Sequence, residues 1–169
     1  MQILIVDDEI KVAQSLQLIL KLEGLDARIV NSGVAAIEEM AQQPYDIVLL
    51  DLNMPQIDGI TVLDHITRNH PDTSVIVVSG ESEIKKAVHV LKAGARDFVR
   101  KPYTPEELIF SINNVREKIQ LERDNQAMIV TLQESEALHK FIVHHSPDLV
   151  YMLDHQGNFT FVNKNTAER

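Results

Sequence analysis

A tandem pair of aspartates at Asp7-Asp8, a third at Asp51, a serine at Ser79 and a lysine at Lys101 are the residues of this chain whose types can do chemistry together. Each stands where an apolar run stops. Ile3-Leu4-Ile5-Val6 leads into Asp7-Asp8, Ile47-Val48-Leu49-Leu50 into Asp51, Val75-Ile76-Val77-Val78 into Ser79, and Phe98-Val99 into Arg100-Lys101. Three carboxylates at adjacent strand ends repel one another unless a cation sits between them. An all-oxygen donor set selects a hard ion, Mg2+ before others, and such an ion keeps several waters. It also screens an incoming phosphoryl group and stabilises its charge during in-line transfer. Lys101 supplies a point charge for the same oxygens, and Ser79 can donate a hydroxyl hydrogen bond to them. A carboxylate that attacks phosphorus forms an acyl phosphate, so a covalent intermediate on one of these acids is the chemistry to expect.

The five groups are far apart along the chain, and a fold must bring them together. Strands are expected at Ile3–Val6, Ala27–Val30, Ile47–Leu50, 75–78 and 98–99. Four apolar residues in a row read as strands buried on both faces, the habit of a parallel sheet. Helical spacing appears over 11–23 (Val12, Ala13, Leu16, Ile19, Leu20 inward), 32–42 (Val34, Ile37, Met40, Ala41) and 60–69 (Leu63, Ile66). It returns over 83–93 (Ile84, Ala87, Val88, Leu91) and in a helix opening at Thr104-Pro105-Glu106-Glu107. Gly24 and Gly94 are stop signals, and Asn53-Met54-Pro55 with Asp58-Gly59 carries turn chemistry. Strands alternating with helices give an α/β, doubly wound, five-stranded parallel sheet. In the order 2-1-3-4-5, strands one and three meet at the switch point, which puts Asp7, Asp8 and Asp51 on one crevice at the carboxyl edge.

Bulk composition narrows the function classes. The chain has 169 residues, 44% hydrophobic and 24% charged, the balance of a globular protein rather than a disordered one. A formal net charge of −9 argues against a nucleic-acid surface. The absence of cysteine excludes disulfides and a thiolate zinc site. No apolar run approaches a membrane span, and Met1 leads straight into the first strand with no basic region or cleavage site, so a cytoplasmic location is expected.

The last helix runs past the end of the expected sheet. Leu108, Ile112, Val115 and Ile119 keep a coiled-coil spacing, Glu122 and Gln126 interrupt it, and Leu121, Met128 and Leu132 mark a shifted seam through to about Leu138. A dimerising helical linker with a break in register is expected over 120–140, and a homodimer through it. Further on, Leu149-Val150-Tyr151-Met152-Leu153 and Phe159-Thr160-Phe161-Val162 flank Asp154-His155-Gln156-Gly157-Asn158, a hairpin pattern. Two strands bury no core of their own, so the chain reads as ending partway into another domain. His144-His145 reads as a polar approach to that hairpin. His139 is followed by Lys140-Phe141 rather than an acidic residue, which argues against a kinase phosphoacceptor.

The ordered set Asp7-Asp8, Asp51, Ser79 and Lys101-Pro102 resembles the receiver domain of two-component response regulators, with the flavodoxin-like fold, over residues 1–119. The resemblance implies a phosphorylation-activated regulator that takes its phosphoryl group from a histidine kinase or phosphotransfer protein. It makes Asp51 the phosphoacceptor, Asp8 a direct Mg2+ ligand, Asp7 a ligand acting largely through water and Asn53 a ligand through its backbone carbonyl. Lys101 would contact the phosphoryl group, and the Lys101-Pro102 bond would be cis. Ser79 and Phe98 match the family's switch pair, with phenylalanine where tyrosine is frequent. Asn53 and Glu81 would flank the phosphoryl group and set its lifetime. Residues 141–169 resemble the opening of a PAS sensory domain, which is α+β. Two other readings compete. An aspartyl-nucleophile phosphatase needs a second acid two residues after the nucleophile, where Asn53 stands, and a pseudo-receiver scaffold would not need Asp8, Asp51 and Lys101 together.

Overall fold

A computed structural model of the chain describes residues 1–80, 84–146, 148 and 150–163. Contacts divide it into two compact units, Met1–Ile119 and Gln120–Arg169.

The first unit is built on five parallel strands, β1 Ile3–Val6, β2 Ala27–Val30, β3 Ile47–Leu50, β4 Ser74–Ser79 and β5 Asp97–Arg100. Their order is β2-β1-β3-β4-β5, as the alternating pattern requires. Every residue of β1, β3 and β4 is buried. Successive side chains enter opposite faces of the sheet. Leu4, Val6, Val48, Leu50, Val75 and Val77 fill a core with α2 Gly33–Gln42, α3 Gly59–Asn69 and α4 Ile84–Lys92. Ile3, Ile5, Ile47, Leu49, Ile76, Val78 and Val99 fill the other core with α1 Ile10–Leu22 and the first turns of α5 Pro105–His145. The unbroken apolar runs are therefore the signature of a sheet covered twice.

The helices start on local signals. Ser32 accepts a hydrogen bond from the Ala35 amide at the head of α2 and Asp58 one from the Thr61 amide at the head of α3. Thr104 and Glu107 exchange backbone-to-side-chain bonds in both directions at the head of α5, a capping box. Gly24 and Gly94, with φ of +72° and +106°, end α1 and α4 in the left-handed conformation.

Two expectations about helix faces are corrected. In α2 the buried side chains are Ala36, Glu39 and Met40, whereas Val34 and Ala41 are exposed. The helix is phased by Gly33, whose position against Ile57 and Val62 leaves no room for a side chain. In α4, Val90 is fully buried while Val88 and Leu91 remain more than 40% exposed; Ile84's side chain lies outside the described residues. In α3 the expected Leu63 and Ile66 are buried, and Val62 joins them in the core. Glu39 is buried because Tyr45 donates to its Oε1 at 2.7 Å and Arg28 pairs with its Oε2 at 2.8 Å. The Tyr45 hydrogen bond outweighs burial and, with Gln43 and Arg28, holds the Glu39 carboxyl below its ordinary range.

In the second unit, α5 continues as one helix through His145, beyond the expected linker end at residue 140. The expected hairpin forms from β6 Tyr151–Leu153 and β7 Phe159–Val162, antiparallel, across a turn in which Gly157 has φ +86°. No described helix is long and apolar enough to cross a membrane.

Candidate phosphoacceptor site

Strand ends place the site. β1 and β3 pair in register, Val6 beside Leu50, so the residues that follow each strand emerge side by side. The Asp51 amide donates to the Val6 carbonyl at 2.9 Å and locks that alignment. Carboxylate oxygens of Asp7, Asp8 and Asp51 lie within 4.8 Å of one another. Asp7 and Asp51 are 1% and 6% exposed, whereas Asp8 faces solvent. This is a donor set of hard oxygens with one open side, and it fits a small divalent cation.

The lysine comes from the far edge. At the tip of β5 the Lys101 amide donates to the Ser79 carbonyl, and the Lys101-Pro102 bond is cis. The Lys101 Nζ then reaches Asp7 Oδ2 at 2.8 Å and Asp51 Oδ1 at 3.4 Å. The remaining oxygen of Asp7 accepts the Glu9 amide at 2.9 Å. Asp7 is therefore held by two donors, whereas Asp51 meets Lys101 at the longer distance and accepts a backbone hydrogen bond from Leu52.

Electrostatics follow from these partners. Burial pushes the Asp51 carboxyl above its ordinary value; the Lys101 charge opposes this, and the Asp7 charge adds to it. For Lys101, burial acts to lower the ammonium. The Asp7 hydrogen bond and the two carboxylate charges outweigh burial, and the net shift is upward. The arrangement is a negatively charged crevice with the Lys101 ammonium at one wall and Asp8 on its open side.

The other expected residues occupy recognisable places. Ser79 ends β4, fully buried. Phe98, one strand over and beside Val77, is half-buried against the α2–α4 core. Asn53 is exposed in the loop after β3. Glu81 lies outside the described residues. Two features were not legible as parts of the site. Tyr103 is half-buried close enough to Lys101 and Asp7 to sense both charges, and burial raises its hydroxyl first of all. Gly59 opens α3 directly beneath the phosphoacceptor candidate, where a Cβ would stand 2.3 Å from the Asp51 carbonyl oxygen and 2.6 Å from the Leu52 Cα. The Asp58-Gly59 pair was a turn signal in the sequence, but its closeness to Asp51 depends on the fold.

Comparisons with known proteins agree with this geometry. The family described as "Response regulator receiver domain" matches residues 3–113. The nitrogen assimilation regulatory protein NtrX of Azorhizobium caulinodans is 36% identical over 124 residues, 72% of this chain and 27% of its own length. The cell cycle transcriptional regulator CtrA of Caulobacter vibrioides is 34% identical over 115 residues, 68% of this chain and 50% of its own. The chain thus spans between a quarter and a half of these relatives. Among solved structures, the signal receiver domain of a putative LuxO repressor protein from Vibrio parahaemolyticus superposes with a TM-score of 0.69 at 30% identity, over 72% of this chain and 94% of that one. NtrX from Brucella abortus gives a TM-score of 0.72 at 30% identity, over 75% of this chain and 29% of that one. Sheet order, strand-end acids, the bridging lysine and these matches agree, and the chain belongs to the response regulator receiver domain family.

Proposed function

We propose that the chain is a phosphorylation-activated response regulator in which Asp51 accepts a phosphoryl group from the phosphohistidine of a histidine kinase or phosphotransfer protein. The carrying observation is Lys101, whose ammonium touches Asp7 and Asp51 together across three strand tips. In the reaction an Asp51 oxygen attacks phosphorus, the nitrogen–phosphorus bond breaks, and the imidazole leaves with the electron pair. Asp51 suits the role because it is buried at a strand end beside Asp7 and Asp8, with its Oδ1 3.4 Å from the Lys101 Nζ. The Lys101 Nζ turns from Asp51 toward the phosphoryl oxygens while keeping its hydrogen bond to Asp7.

Receiver domains generally use Mg2+, and Asp7, Asp8, Asp51 and the Asn53 carbonyl are the groups we assign to hold it. The ion would neutralise charge on the transferring group. Ser79 and Phe98 form the switch in this reading. The buried hydroxyl bonds the new phosphoryl group, and the aromatic ring follows into the space released, a two-state shift biased by local charge. The exposed Val88 and Leu91 on α4 support a partner surface on the α4–β5–α5 face that this shift would remodel. Asn53 and Glu81 would govern how fast water removes the phosphoryl group.

Residues 1–119 form the receiver in this proposal, 120–140 a linker that pairs with a second copy, and 141–169 the opening of a PAS sensory domain, in a cytoplasmic protein. The hairpin supports the last assignment by leaving Tyr151, Met152, Leu153, Phe159 and Val162 all more than 40% exposed, as strands awaiting further cover would. Incubation with acetyl phosphate and Mg2+ tests the core of the proposal. Intact-mass measurement is expected to find one phosphoryl group per chain, released by hydroxylamine and absent in Asp51→Asn. An adduct that persists in Asp51→Asn, or none in the unaltered chain, would overturn it.

A further inference from the structure

Between Gln120 and Val162 every described side chain is exposed or half-buried, yet Asn163 is completely buried. A polar side chain is not buried without partners, and four of this one's lie among the described residues. Its Nδ2 donates to the carbonyls of Val143 at 3.1 Å, Asp148 at 2.9 Å and Ser146 at 3.4 Å. Its Oδ1 accepts the Val150 amide at 3.2 Å, and its own backbone amide donates to the Val150 carbonyl at 3.0 Å. Val143 lies in the last turn of α5, among the carbonyls that a helix leaves without intrahelical partners. Many helices end on a local glycine cap. Here the cap comes from the residue that follows β7, twenty positions away.

One side chain therefore reads the helix end, the connecting loop and the entry to the hairpin at once. A second contact spans the same junction, where the His144 ring meets the Phe161 ring edge-on with centroids 5.9 Å apart. By contrast the hairpin's own turn is self-contained, because Asp154 accepts from the Gln156 and Asn158 amides without touching the helix.

We propose that Asn163 is a mechanical joint that makes the last turn of α5 and the β6–β7 hairpin one cooperative unit, so that unwinding or displacement of the helix end is delivered to the hairpin. The amide works in two directions. Its donor side grips helix and loop carbonyls, and its acceptor side holds the strand. An exposed two-stranded hairpin has little stability of its own, so its persistence depends on that grip. Phosphorylation at Asp51 is not needed for the joint to exist, and its test requires none.

Amide hydrogen exchange on the full chain by NMR provides the test, with Ala137→Gly as a remote perturbation. Ala137 is an exposed residue inside α5, where glycine weakens a helix. In the unaltered background this substitution is expected to accelerate exchange by about fivefold, both at the last turn of α5 and at the Asp154 amide, which bonds the Asn158 carbonyl inside the hairpin. Asn163→Asp keeps the acceptor for Val150 and removes the donor side. It is expected to loosen the last helical turn and to abolish the response of Asp154 to Ala137→Gly. Three results would overturn the joint. The hairpin could ignore Ala137→Gly in the unaltered background. It could respond equally in Asn163→Asp, which would leave His144 and Phe161 as the connection. Or Asn163→Asp could unfold the hairpin and leave the helix end fully protected, which would make Asn163 a hairpin residue that does not grip the helix.

Discussion

The two units solve the problem of buried surface in opposite ways. In Met1–Ile119 the sheet is covered on both faces, and Ile3, Leu4, Ile5, Val6, Leu49 and Leu50 are at most 1% exposed. From Gln120 to Ile142 every side chain is exposed, including Met128, Leu132 and Phe141. α5 passes from one regime to the other. Over Leu108, Ile112, Val115 and Ile119 it is held by packing against the sheet, whereas from Gln120 to Ile142 its side chains are exposed and local pairs such as Gln120 with Asp124 lie along it. Packing of an amphipathic face supplies most helix stability in proteins. The first region is therefore self-sufficient, and the second presents an apolar stripe that only another surface can cover, which is the physical basis for proposing a second copy there.

Leucine truncations put the largest strain on that contrast. Leu50→Ala removes a fully buried side chain and is expected to destabilise the receiver by about 2–5 kcal/mol in urea unfolding. Leu132→Ala, at 60% exposure, is expected to leave the receiver's transition unmoved and to shift self-association measured by sedimentation toward monomer. A Leu132→Ala chain that associates as strongly as the unaltered one would remove the proposed seam.

Two glycines sharpen the same difference at smaller scale. Gly59→Ala forces a Cβ into backbone at 2.3 Å and is expected to cost about 1–3 kcal/mol of global stability while also displacing Asp51, so that phosphorylation slows. Gly157→Ala meets nothing within 4 Å; its penalty, about 1 kcal/mol, arises from φ +86° and stays in the hairpin. Equal effects on the receiver's unfolding would erase the distinction between the units.

Asp51 gives the contrast a pH dependence. Burial raises its carboxyl above the ordinary value of 3.8, so the folded receiver binds that proton more tightly than the unfolded chain. The associated stability is fully present below the unfolded value and is lost as pH rises through the folded one. In metal-free solution Asp51→Asn is therefore expected to melt higher than the unaltered chain at pH 7, with the advantage disappearing below about pH 3.8. A melting difference independent of pH would mean that the crevice does not penalise the charge.

What could be read from the sequence follows the same division. Continuous apolar runs ending in Asp7, Asp51 and Ser79 pointed to doubly covered parallel strands, and the acids, serine and lysine at the strand ends, rather than the apolar pattern, singled out the order and the crevice. The burial of Val34, Ala41, Val88 and Leu91 was misjudged because short helices offer several apolar stripes, and the choice among them depends on neighbours such as Ile57 and Val62 that are remote in sequence. Glu39 and Asn163 were illegible for a related reason. Each is a polar residue buried by long-range partners, Arg28 and Tyr45 for the first, Val143 and Val150 for the second. Period and propensity carry no information about such pairs. The hairpin was visible from its turn, but its joint to the helix was not.

The smallest effect concerns the loop that carries Asn53. Gln56 adopts φ +71°, a left-handed conformation that disfavours a side chain by about 1–2 kcal/mol. Glycine would relieve that strain, yet it also loosens the unfolded chain, which costs about 0.5–1 kcal/mol. The two terms oppose each other, and Gln56→Gly is expected to stabilise the receiver by about 0.5–1 kcal/mol. Gln56→Asn tolerates the same conformation without the full entropic penalty and should gain slightly more. Paired urea titrations decide the matter. If both variants are destabilised by 1 kcal/mol or more, the Gln56 side chain is making a contact that outweighs its backbone strain, and the loop beside Asp51 is held by more than its own turn.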